Sequence, residues 1–290
     1  MKKTAACLFM VFSVLAVFLF ANIEALYALP QLGAEQFLDS MPHRTILLFG
    51  RTMIWTQPSS TVIVFLLGLA TIGFGVFFLS SSARQQSRAY WGAGMILWGL
   101  GALSAGISYQ AFGYELKCAG RTLCLFTSKF EIAYLLLTCF SIACFLLSAA
   151  YASARGNERR ALIRFAVIDC IVYTALLLAG AILPVRFLIS YEGFLLLIGG
   201  NFVVMFIFAL LHRKKHGDRL SKRMIAIWLV FLLVNIGYFA FLYSGVSQTL
   251  YQTAGVWFNE NDFFHVLLIG WMLMIFFLLK NTLRDSESNP

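Results

Sequence analysis

The segment WFNENDFFH, residues 257–265, sets two amides, two carboxylates and an imidazole just ahead of a long apolar run. On a helix, Asn261 and His265 are four apart and Asp262 and His265 three apart, so the three side chains can share a face. An Asp beside a His can orient the imidazole and raise its basicity, which suits proton transfer or the support of a metal-ligating ring. No Lys or Arg in the segment neutralises Glu260 or Asp262. The same residues also read as an ordinary helix start, because Asn or Asp ahead of an apolar run accepts hydrogen bonds from the first unsatisfied N–H groups.

Other polar residues fall at the same depth. The second apolar run closes on SYQAFGYE, which presents Ser108, Tyr109, Gln110, Tyr114 and Glu115; the third opens with Lys129, Glu131 and Tyr134. Glu192 enters the fifth run about five residues past Arg186 and Phe187, or roughly 8 Å at helical rise. A carboxylate at membrane depth needs a partner, a proton or water, so Glu192 either pairs with Arg186 or faces a polar space. Ser108, Tyr109, Gln110, Glu115, Glu192, Asn261, Asp262 and His265 together define a candidate polar pocket framed by the ends of several helices.

Three more polar residues lie deeper. Asp169, four residues before Tyr173 in the fourth run, reads as a hydrogen bond inside the bundle or as a proton relay. Asn201 and Asn235 read as amides that join helices.

The elements that carry these residues follow from composition. Hydrophobic residues make up 60% of the chain and charged residues 12%, and mean hydropathy is +0.82. Soluble domains hold about 45–50% apolar and about 25% charged residues, so the apolar surplus faces lipid. Runs near 60–81, 90–112, 132–152, 162–183, 187–211, 224–244 and 263–280 are each long enough to cross a bilayer as a helix. Pro58 and Pro184 fall where a helix begins or ends without losing an interior hydrogen bond. The short alternating strands that a membrane barrel needs are absent, and the fold class is an all-α bundle of seven transmembrane helices.

Ahead of it, residues 1–28 read as a signal peptide, or as an eighth, anchoring helix if uncleaved. Residues 29–59 read as an extracytoplasmic segment, 60–280 as the membrane domain and 281–290 as a cytoplasmic tail. Cys7 has no assigned role.

The net charge of +9 does not mark a nucleic-acid binder, because Lys and Arg sit in short connections between apolar runs and form no basic stripe interleaved with aromatics. Alternate connections carry 14 and 6 Lys plus Arg. The richer set, which includes Arg213, Lys214, Lys215, Arg219, Lys222 and Arg223, belongs in the cytoplasm by the positive-inside rule. That places the mature N-terminus and the candidate pocket outside, in a cell or inner membrane. His212 and His216 have the spacing of a metal pair, but their basic neighbours favour a solvated loop over 212–223 that meets anionic lipid headgroups.

Cys118 and Cys124, five residues between them, fall in an outer connection where an oxidising exterior allows a disulfide over the pocket. Cys139, Cys144 and Cys170 read as packing residues. Gly94, Gly101, Ala105 and Ser108 form a small-residue stripe that makes the second helix central. Trp55, Trp91, Trp257 and Trp271 suit interfaces or bundle packing. There is no Walker loop, GxGxxG, HExxH or nucleophile elbow.

Seven helices, Ser and Tyr closing the second, and His265 at the start of the seventh resemble the superfamily of alkaline ceramidases and progestin/adipoQ receptors. That resemblance implies a seven-helix fold and, in many members, a zinc ion held by one His near the end of the second helix and two on the seventh. Of that set His265 is carried over; Gln110 stands where the second-helix His is expected, and Ile269 stands four residues after His265.

The expected function is recognition of a small or lipid-like ligand in the polar pocket, reported through the sixth or seventh helix to 212–223. The alternatives are an intramembrane, metal-dependent lipid amide or ester hydrolase using His265 and Asp262, and a proton-coupled transporter using Glu192 or Asp169.

Overall fold

A computed structural model describes residues 32–286. The expected signal segment lies outside the described residues. Seven helices are long and apolar enough to span a bilayer: Pro58–Ser80, Gln86–Ala111, Lys129–Ser153, Gly156–Ile182, Tyr191–His216, Arg219–Ser244 and Glu260–Leu279. They are the first to seventh spans below, and the chain is a multi-pass membrane protein. Where the helices run past the apolar runs, as at Gln86, Gly156, His216 and Arg219, the lipid-matched hydropathy has ended but the backbone goes on bonding to itself. Long basic side chains reach water there along their own stems.

The loop expected over 212–223 is instead two helix ends and a tight turn. Gly217 adopts φ +66°, and its N–H closes the fifth span on Arg213 O at 2.8 Å. Asp218 then caps the sixth span, its carboxylate accepting from Ser221 N at 3.0 Å and from the Ser221 hydroxyl at 2.7 Å. His212 Nδ1 donates to the same carboxylate at 3.1 Å. Burial pushes the Asp218 carboxyl up, but the hydrogen bonds from Ser221 and the His212 contact outweigh it and hold the pKa below its ordinary value.

The fifth span begins later than the apolar pattern suggests. After Pro184 the chain makes a 3-10 turn, Arg186–Ile189, and Ser190 caps the helix by accepting from Gly193 N at 3.1 Å. Glu192 therefore sits in the first helical turn, not a further 8 Å down as residue counting had placed it.

The second span is wedged between the first and third by glycine. A Cβ at Gly99 would come within 2.5 Å of Gly68 O, and one at Gly75 within 2.7 Å of Gly92 O, so these two helices touch backbone to backbone. On the opposite face Gly94 packs on Phe145 and Gly101 on Thr138. The expected stripe divides accordingly: Gly94 and Gly101 meet the third span, while Ala105 lines a cavity.

One end of the bundle carries a β-hairpin that was not expected. β1 (His43–Leu48) pairs antiparallel with β2 (Arg51–Thr56), His43 opposite Thr56. The joining residues Phe49 and Gly50 both have positive φ, the geometry of a tight two-residue hairpin turn. At the opposite, tail end, residues after the seventh span are stitched back into the bundle. Gln86 and Ser87 N–H donate to the Asp285 carboxylate at 2.9 and 2.8 Å, and Ser286 N donates to Tyr151 O at 3.0 Å. Arg88 and Arg223 donate to the carbonyls of Lys280 and Leu278, capping the seventh helix.

Two outcomes follow. Gly99→Val should lower the thermal midpoint of the detergent-solubilised protein, at a cost of about 1–3 kcal/mol from overpacking, whereas Gly73→Ala, where an added Cβ meets nothing within 4 Å, should not. Because the folded pKa of Asp218 is depressed, its contribution is complete above the unfolded carboxylate value of about 3.9 and vanishes as pH falls through the lowered one. Asp218→Ala should thus destabilise at neutral pH, by a margin that closes in acid melts.

Candidate functional site

At the hairpin end, a cavity of about 610 Å³ opens between the first, second, third, fifth, sixth and seventh spans. The second span contributes through a π-helical turn, Gly106–Ala111. This wider turn, a feature often found at functional sites, is tied down where the Thr56 hydroxyl donates to Gln110 O. Tyr109 and Gln110 face the cavity from it. Ser108 does not: its hydroxyl donates to Glu131 Oε1 at 2.7 Å and shares a hydrogen bond with Ser128 Oγ.

Glu131 lies in the first turn of the third span, where Ser128 caps the helix by accepting from Glu131 N. Lys117 Nζ reaches it at 2.9 Å, and both side chains are at least nine-tenths buried. Cys118 and Cys124 form a disulfide in the connection just after Lys117, and Leu125 N donates to Lys117 O at 2.8 Å. The pinned loop thereby holds the ammonium over the carboxylate. Neither residue stood out in the sequence as half of a pair, although a lysine beside a cysteine that returns the chain to the start of the third helix is a usable signal. Glu115 is also outside the cavity wall; it accepts from Ile54 N at 2.7 Å and anchors the hairpin.

The seventh span separates the two chemistries that WFNENDFFH could support. Asn259 is the N-cap: Asn259 Oδ1 accepts from Asp262 N at 2.9 Å, and Asp262 Oδ2 accepts from Asn259 N at 3.0 Å. This reciprocal capping box uses Oδ2 of Asp262, which is fully buried. Asn259 Nδ2 donates to Gln57 Oε1 at 3.2 Å and Trp257 Nε1 to Ser60 Oγ at 3.1 Å, docking the helix start on the first span. Asn261 and His265 point the other way, into the cavity. The cause is helical advance: at about 100° per residue, positions 261 and 265 differ by about 40°, while 262 stands about 100° from 261. His265 Nδ1 has no hydrogen-bond partner, so Asp262 does not orient the imidazole, and the expected Asp–His pair is corrected.

Of the eight pocket candidates, Tyr109, Gln110, Glu192, Asn261 and His265 line the cavity, while Ser108, Glu115 and Asp262 do not. Tyr134, Tyr191 and Tyr238 join them, residues that hydropathy alone cannot separate from lipid-facing aromatics. Toward the middle of the bundle the wall is apolar, formed by Trp98, Phe202, Trp228 and Phe231. Trp271 braces it from behind with its ring 4.5 Å from that of Phe231 and its Nε1 donating to Ile227 O at 2.9 Å. Val203 and Leu232 line the cavity and are nonetheless 57% and 55% exposed. The wall is therefore open sideways, between the fifth and sixth spans.

Two of the deeper polar residues pair with each other. Asn201 Nδ2 donates to Asp169 Oδ2 at 2.6 Å, joining the fifth span to the fourth. Asn235 donates to Phe231 O in its own helix and does not join helices as expected; its side chain is also part of the cavity wall.

The donor set does not fit zinc. Among the described residues no group of three His, Cys, Asp or Glu could hold a metal, and His265 is the one imidazole in the cavity wall. His212 and His216 have rings 4.5 Å apart, but His212 Nδ1 is occupied by Asp218 and Ser221. No family model, curated protein or solved structure matches the chain.

Asn259→Ala should lower thermal stability by about 0.5–2 kcal/mol through loss of the cap, while Asn261→Ala, which changes only the cavity wall, should leave the melting midpoint within error. Paired thermal melts in one detergent check both.

Proposed function

We propose that this chain recognises a compact lipid-like amphiphile in the hairpin-end cavity, with that end on the outer side of a cell or inner membrane. The carrying observation is the polarity of the cavity itself. Tyr109, Gln110, Glu192, Asn261 and His265 lie at one end, an aromatic wall lies deeper, and a side opening at Val203 and Leu232 faces lipid. Its volume of about 610 Å³ is in the range that holds drug-sized ligands. A hydrocarbon body can enter from the bilayer while its polar group stays near the interface.

Orientation is supported by the arginines and lysines gathered at the tail end. The basic residues flanking the fifth-to-sixth turn would meet anionic headgroups there. Signalling would run through the sixth span, which forms the cavity wall at Leu232, Asn235 and Tyr238 and begins at the Asp218 cap.

Native mass spectrometry of gently extracted protein should detect a bound amphiphile, and Leu232→Trp, which fills the side opening, should reduce its occupancy several-fold without lowering stability. Equal occupancy in wild type and Leu232→Trp would refute entry by that route. In intact cells a membrane-impermeant maleimide should label Gln252→Cys and spare Lys214→Cys until lysis; the opposite pattern inverts the orientation.

A further inference from the structure

We infer that the polar group of the occupant is a protonated amine, so that the ligand is a cationic amphiphile with N–H donors and no phosphate. This rests on the cavity being a ligand site, as proposed above, and names the chemistry that the site selects.

The first argument is charge. The cavity wall contains two carboxylates, Glu131 and Glu192, and neither Lys nor Arg. Glu131 is neutralised by Lys117 at 2.9 Å and further satisfied by Ser108 at 2.7 Å. Glu192 makes no ion pair or hydrogen bond among the described residues. Arg186, its expected partner, stacks on the Phe126 ring at 4.6 Å and is not part of the wall. The cavity thus presents one carboxylate with no cationic partner. A phosphate or carboxylate headgroup would face it with no cation to offset the repulsion.

The second argument is hydrogen-bond polarity. The Glu192 carboxylate lines the cavity, and a carboxylate oxygen accepts hydrogen bonds. With no protein donor on it among the described residues, it calls for a ligand that donates. The third is aromatic. Tyr109, Tyr134, Tyr191 and Tyr238 line the same end, and rings of this kind attract ammonium groups through their faces. Lys117 Nζ already lies over the Tyr109 ring at 5.3 Å, so this end of the bundle is built to accept an ammonium beside a tyrosine. A primary ammonium meets all three demands, whereas a quaternary one meets only the charge and the rings. An alcohol donates but leaves Glu192 unpaired.

The test uses the whole protein in phosphatidylcholine nanodiscs at neutral pH, with quenching of Trp98 and Trp228 in the cavity wall as the readout. The probes are dodecylamine, dodecyltrimethylammonium, dodecanol and dodecanoate, with discs containing phosphatidylethanolamine as a further arm. Dodecylamine should bind at least tenfold more tightly than dodecanol or dodecanoate, with dodecyltrimethylammonium in between. Phosphatidylethanolamine should not compete. Glu192→Gln should weaken dodecylamine by about tenfold or more and leave dodecanol unchanged, with an unaltered melting point showing that the variant folds.

Equal binding of all four head groups, or dodecylamine binding indifferent to Glu192→Gln, overturns the amine assignment while leaving the ligand cavity intact. Competition by phosphatidylethanolamine overturns the exclusion of phosphate. Should none of the probes bind and Leu232→Trp leave native occupancy unchanged, the cavity itself is not a ligand site and both proposals fall.

Discussion

Hydrocarbon offers a peptide group no hydrogen-bond partner, and most of this molecule follows from that constraint. Every crossing segment has to bond to itself, which makes it a helix. Helices in lipid gain nothing from hiding apolar side chains from one another, so they associate where small residues let backbones approach. The glycine seam between the first and second spans and the opposite contact of Gly94 with Phe145 make the second span the axis of the bundle. Each helix end still leaves unsatisfied N–H or C=O groups. The polar residues of this chain collect at those ends and answer them in specific ways: Asn259 with Asp262, Asp285 with Gln86 and Ser87, and Asp218 with Ser221.

Seen that way, the polar residues at the hairpin end divide into two groups. One group is spent on structure: Ser108, Lys117 and Glu131 form a closed network under the disulfide-pinned loop, and Glu115 holds the hairpin. The other group, Gln110, Glu192, Asn261 and His265, faces a shared space. In two of these the polar atoms Gln110 Oε1 and His265 Nδ1 are buried without partners. The gathering of these four side chains around a cavity that also opens toward lipid is the physical basis for the proposed ligand.

Glu131 and Glu192 show how little the residue type decides alone. Both are glutamates in the first turn of a helix at the same end of the bundle. Both line the cavity, but Glu131 is buried and paired with Lys117, whereas Glu192 is exposed. The difference is the presence of Lys117, delivered from another connection.

Hydropathy and charge spacing by themselves determined the seven spans, the membrane setting and the thiol pair at Cys118 and Cys124, because these depend on local composition and on separations of a few residues. The gathering of polar residues at one end was legible for the same reason: each lies at a predicted helix terminus. What only the tertiary structure decided is which of them are free. Whether Asp262 serves the backbone or His265 depends on where Asn259 and Gln57 lie, and Gln57 is distant in sequence. The start of the fifth span depended on the Ser190 cap, and the docking of the tail on Asp285 reaching Gln86 and Ser87. Helical periodicity gives the angle between two side chains on one helix, but the direction that angle faces is set by neighbouring helices, whose positions come from backbone contacts that no local pattern encodes.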